Sequence, residues 1–120
     1  MHNIRKLKIW TESIDLCVEV YKALAIMPNN EKYGLSSQIK RAVVSISSNI
    51  AEGAGREREK EFYYFLNIAY GSCYELQTQL IICEKLNFIS EEINQPLLNK
   101  IDEIQKMIYV FKENIKKKIV

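Results

Sequence analysis

The chain has 120 residues, a length that suits one domain with a single core and excludes two. Its 17 Lys and Arg against 15 Asp and Glu leave a net charge of +2, too little to hold a polyanion by bulk charge as a histone does. With 48% hydrophobic and 27% charged residues, four Gly and two Pro, the composition is globular and helix-leaning, and no apolar run approaches the roughly 18 residues of a membrane span.

The first predicted helix runs over 9–27, where Trp10, Ile14, Cys17, Val18, Tyr21, Leu24 and Ala25 recur at three- and four-residue steps. Pro28 and Asn29-Asn30 stop it. The second, over 36–52, carries Ile39, Ala42, Val43, Ile46 and Ile50, with Ser36 or Ser37 as its cap and Gly53 as its stop. The third, over 57–86, places Phe62, Leu66, Ala69, Cys73, Leu76, Leu80 and Cys83 at alternating steps of four and three, a heptad seam that favours shallow left-handed packing. The fourth, over 91–118, carries Leu97, Ile101, Ile104, Ile108, Phe111 and Ile115. Ser90 is a good cap for it, but Pro96 removes a ladder donor, so a kink or restart near Pro96 is expected. No segment alternates apolar and polar residues at period two. The predicted fold is all-α, a single antiparallel up-down-up-down four-helix bundle over 1–120.

This topology gathers the two termini and the loop between the second and third helices at one end. Arg5, Lys6 and Lys8, then Arg56 and Arg58, then Lys112, Lys116, Lys117 and Lys118 would meet there as a basic pole for RNA or an acidic partner. The plainer reading of the terminal lysines is that they complement a helix dipole and solubilise a frayed tail.

Catalytic constellations are missing from the sequence. A di-iron bundle needs Glu-x-x-His pairs on facing helices, and the only histidine is His2. Cys17, Cys73 and Cys83 lie on apolar faces, follow no C-x-x-C spacing and are assigned to the core of a cytoplasmic protein. The glycines of Gly53-Ala54-Gly55 follow no strand and lead to no Gly-Lys-Ser/Thr ending, so a helix stop and turn accounts for them better than a phosphate loop. No catalytic, metal or cofactor site is predicted.

Two surfaces exceed the needs of a monomeric bundle. Tyr63, Tyr70, Tyr74 and Ile81 follow one another at steps of 7, 4 and 7 beside the heptad seam, a face that suits either packing against flanking helices or an oligomer interface. Base stacking on these tyrosines is disfavoured, because no cationic groove runs alongside them. On the second helix Gln38, Arg41, Ser45, Ser48, Asn49 and Glu52 form a polar, mostly uncharged stripe, either a polar layer within the bundle or a contact with another helix.

The string Gln38-x-x-Arg41-Ala42-x-x-Ser45-Ile46-x-x-Asn49-Ile50-Ala51-Glu52-Gly53-x-Gly55-Arg56, followed by Glu61-Phe62-x-x-Phe65-Leu66-x-x-Ala69-x-Gly71-Ser72-x-x-Glu75-Leu76, resembles the bacterial four-helix bundle family of 23S ribosomal RNA intervening-sequence proteins. Trp10, Tyr21, Pro28, Glu31 and Gly34-Leu35 resemble that family's first helix and loop. The resemblance implies a small cytoplasmic protein that assembles as a homopentamer, with no known reaction. A related branch resembles the accessory variability protein of diversity-generating retroelements, a basic pentamer that binds a reverse transcriptase and nucleic acid. This chain departs from that branch in its near-neutral charge, and it has Glu57-Arg58-Glu59 where the family more often has small hydroxyl residues. The function expected is a non-enzymatic oligomer associated with RNA or a ribonucleoprotein; the alternative is a protein-binding scaffold, such as a reverse-transcriptase accessory subunit, without RNA contact.

Overall fold

A computed structural model describes residues 2–27 and 34–120. A short 3-10 turn, Ile4–Lys6, leads into four helices: α1 (Lys8–Leu24), α2 (Leu35–Ala54), α3 (Glu59–Lys85) and α4 (Glu91–Lys116). No strand occurs among the described residues. The stop expected at Pro28 and Asn29-Asn30 lies outside them.

The helices pack as an antiparallel four-helix bundle, 48 × 23 × 21 Å. Cross-helix contacts fix the directions. Ser45 meets Ser72 while Gly53 meets Phe62, and Phe62 meets Phe111 while Leu80 meets Asn94, so α2, α3 and α4 alternate. Lys100 of α4 pairs with Glu12 of α1 and closes the ring of helices.

The seam of α3 is buried as the heptad spacing predicts, from Phe62 through Leu66, Ala69, Cys73, Leu76 and Leu80 to Cys83. All five predicted α2 core residues are buried as well, and so are Leu97, Ile101, Ile104, Ile108 and Ile115 of α4, with Phe111 packed at the margin. Removing these side chains from water is the main force holding the bundle together.

Helix α1 corrects the sequence reading. Its core face is Ile9, Ser13, Leu16, Val20, Ala23 and Leu24. Of the predicted stripe only Leu24 is buried, while Ile14, Val18 and Tyr21 are exposed. The true seam also runs at four- and three-residue steps, but a serine interrupts it. Ser13 is tolerated there because its hydroxyl donates to the Ile9 carbonyl at 2.6 Å, which removes the cost of burying an unpaired polar group.

Both ends of α2 and the course of α4 past Pro96 also differ from expectation, while α4 begins at Glu91 as expected. Helix α2 starts after Gly34 without a side-chain cap, and Ser36 is buried inside it. It runs through Gly53, which serves close packing and not termination: a Cβ there would lie 2.7 Å from Phe62 Cδ1 and 2.9 Å from Phe65 Cβ. Helix α4 is continuous from Glu91, with Ser90 accepting from the Ile93 amide, and Pro96 sits inside it without a restart. The missing proline N–H falls within the first two turns, on an exposed face where water can satisfy the carbonyl it leaves.

Candidate functional site

At one end of the bundle the His2 amide donates to the Ala54 carbonyl at 3.0 Å, and the His2 ring lies 4.8 Å from that of Phe62. The Phe62 ring is in turn 5.5 Å from that of Phe111. The N-terminus, the α2–α3 turn and the end of α4 therefore share one pole. Arg5, Lys6, Lys8, Arg58, Lys116, Lys117 and Lys118 are exposed there, and none makes an ion pair with a described residue. Two of the predicted cations behave differently. Arg56 is engaged by Glu52 at 2.7 Å and Glu61 at 3.6 Å. Lys112 is turned inward, only 7% exposed, with its ammonium 3.2 Å from Glu113.

The stripe on α2 is divided between two roles. Ser45 and Ser72 join α2 to α3 through hydroxyls 2.9 Å apart. Asn49 donates to the Ser45 carbonyl and hydroxyl, at 2.8 and 2.9 Å, and so closes its bonds within α2. Gln38, Arg41 and Ser48 are exposed and line an open groove of about 810 Å³ with Tyr21, Val44 and Glu75. Arg41 has no ion-pair partner among the described residues. Beside the groove α1 exposes Ile14, Val18 and Tyr21, part of the stripe that sequence periodicity assigns to the core. Lys40 lies 5.3 Å over the Tyr21 ring.

The tyrosine face is built from two helices. Tyr70 and Tyr74, one turn apart on α3, meet edge to face at 5.3 Å with hydroxyls 3.2 Å apart. This hydrogen bond, aided by burial, pushes the Tyr70 phenol up to about 12. Helix α4 adds Tyr109, 6.0 Å from Tyr70. The Lys112 ammonium sits among three rings, 5.0 Å from Tyr109, 5.2 Å from Tyr70 and 5.5 Å from Tyr63, and Lys116 lies 6.0 Å over Tyr63. The expectation that no cationic groove runs alongside these tyrosines is thus corrected: Lys106 lines a groove with Tyr70, Tyr74 and Tyr109, and Lys112 and Lys116 lie against the rings. Sequence reasoning does not single out Tyr109 and Lys106, because nothing in the linear sequence shows which face of α4 flanks α3. Ile81 is exposed farther along α3.

Cys73 and Cys83 are buried, and burial pushes the Cys73 thiol up to about 12; Cys17 is half-buried, with its thiol also raised by burial. Among the described residues no group of His, Cys, Asp and Glu side chains is arranged to hold a metal ion, and no helix is long and apolar enough to cross a membrane.

The sequence profile of the family described as 23S rRNA-intervening sequence protein matches residues 5–110. Among solved structures, a protein of unknown function from the S23 ribosomal protein family of Bacteroides thetaiotaomicron shares 25% identity and superposes with a TM-score of 0.81, covering 87% of this chain and 97% of its own. No curated protein matches.

Proposed function

Since the chain belongs to the 23S rRNA-intervening sequence protein family, we propose that it is a non-enzymatic, oligomeric helical bundle that associates with RNA or a ribonucleoprotein. The observation that carries this reading is the basic pole: seven exposed cations from three separate segments converge at one end, and none is closed in an ion pair with a described residue. Unpaired surface cations are the groups that neutralise phosphates and release condensed counterions.

Assembly is supported by the face that α1 and α2 leave uncovered. Ile14, Val18, Tyr21 and Val44 are each about 36 to 49% exposed, and the small Ser45 and Ser48 beside them allow a neighbouring helix to approach. We assign copy-to-copy contact to this face, with Arg41 available for a carboxylate of the neighbour. A ring such as a homopentamer would repeat the basic pole around its rim, so weak single contacts would add through avidity.

The test combines affinity and mass. Filter binding to structured ribosomal RNA at two salt concentrations should show steep salt dependence, near 0.7 per phosphate contact on single strands. A variant with Arg58, Lys116, Lys117 and Lys118 changed to Gln should bind far more weakly while light scattering gives an unchanged oligomer. Equal binding by this variant, or none by the parent at low salt, would remove the pole as an RNA site and leave the protein-scaffold reading, which the α2 groove favours.

A further inference from the structure

We propose that the α3–α4 face formed by Tyr70, Tyr74, Tyr109 and Lys106 is a stacking platform for unpaired bases of single-stranded RNA. The proposal rests on the RNA-associated reading above and places a second, base-contacting site along the side of the bundle, away from the phosphate-binding pole.

The three rings line an open groove of about 570 Å³ together with Gln105, Lys106 and Val110. That size lies within the range of small-ligand clefts, which span about 300–1,000 Å³. Tyr74 is 50% and Tyr109 49% exposed, so each leaves ring area open to a flat partner. Their orientations are held by neighbours. Tyr74 is bound through its hydroxyl to Tyr70, and Tyr109 packs over the Lys112 ammonium. Rings held in this way lose little further freedom when a base stacks on them.

The surrounding charge favours a polyanion over a second copy of the chain. Lys106 and Lys116 are exposed on α4 and make no ion pair with a described residue, and they lie about 15 Å apart along the helix axis. Lys112 lies beneath the rings between them. Of the acids near this row, Glu113 is engaged with Lys112, and Asp102, one turn before Lys106, accepts from Gln77 at 3.4 Å. Protein interfaces are depleted of lysine at their centres, whereas sites for single-stranded nucleic acid alternate cations with aromatic rings. The row is also continuous with Lys117 and Lys118, so a strand held at the pole could follow α4 to the tyrosines.

Fluorescence anisotropy with a labelled 12-nucleotide single-stranded RNA and its blunt duplex tests the site. Tyr74→Ala with Tyr109→Ala should weaken single-strand binding about ten- to a hundredfold. Duplex binding should be unchanged, because paired bases cannot reach the rings. Tyr109→Phe, which keeps the ring and leaves the Tyr70–Tyr74 bond intact, should retain single-strand affinity, and Lys106→Glu, an exposed change that leaves the fold intact, should reduce it. Single-strand affinity unaltered by the alanine and glutamate changes, in a parent that binds RNA, would overturn the platform and leave the pole standing. Failure of the parent to bind either RNA at low salt would overturn both. A fall in oligomer mass in the alanine variant would overturn the platform by making the face a contact between copies.

Discussion

Gly53 lies so close to Phe62 that a single added carbon would come within 2.7 Å of the ring, and helices α2 and α3 are drawn together at that point. The ring edge can turn, but Phe65 Cβ at 2.9 Å and Phe62 Cα at 3.3 Å belong to the α3 framework and cannot. Gly53→Ala should therefore destabilise the protein by about 1–3 kcal/mol through overpacking, despite the better helix propensity of alanine. Gly71, mid-helix on α3, has open space at its Cβ position, and Gly71→Ala should stabilise by about 0.5–1 kcal/mol. Urea titrations of the two variants should shift in opposite directions.

Asn94 is fully buried and donates to the Leu80 carbonyl and to Glu84 Oε1, each at 3.0 Å, clamping the start of α4 onto the end of α3. Asn94→Leu should cost about 1–3 kcal/mol, since the buried Leu80 carbonyl loses its side-chain donor. Asn49→Leu should cost less, because its bonds lie within α2 and Ser45 keeps Ser72. Equal losses in thermal denaturation would contradict this ranking.

The Glu12 and Lys100 pair gives a pH signature. Lys100 hydrogen-bonds Glu12 and holds its carboxyl below the ordinary 4.5, and Glu12 raises Lys100 above its ordinary 10.5. A lowered acid contributes fully above its unfolded value and is lost as pH falls through the folded one. A raised base contributes fully below its unfolded value and is lost as pH climbs through the folded one. Glu12→Gln should thus cost about 0.5–1 kcal/mol near neutrality, and the gap from the parent should close in acid below pH 4.5. A gap that persists at pH 2 would mean that the pair is not its origin.

Val18→Glu places a charge on the exposed face of α1 and should reduce the particle to 14.0 kDa in light scattering with helix content unchanged. Cys17, one residue away, should then react with a thiol reagent faster than in the parent, while Cys73 and Cys83 react only on unfolding. A parent of 14.0 kDa would end the assembly proposal.

The legibility of the sequence varied with how strictly each helix kept its period. The α3 seam, uninterrupted from Phe62 to Cys83, could be read directly. In α1 a second, more apolar stripe led by Trp10 and Tyr21 outweighed a core seam broken by Ser13, and only tertiary packing selects between them. Gly53 looked like a terminator because its close neighbour, Phe62, comes from another helix. The pole followed from topology alone, but the inward turn of Lys112 and the meeting of Tyr70 with Tyr109 depend on the rotation of α4 against α3, which no single helix encodes.

The Glu12 to Lys100 contact spans 88 residues of chain, whereas the other helix pairings join sequence neighbours. Closing so long a loop carries an entropic penalty that the neighbouring hairpins avoid. Folding should accordingly zip from the α2–α3 and α3–α4 hairpins on the fast timescale of local topologies, with α1 docking onto α4 last. The same order reversed makes α1 the first helix to detach, so its amides should exchange with deuterium sooner than those at the centre of α3.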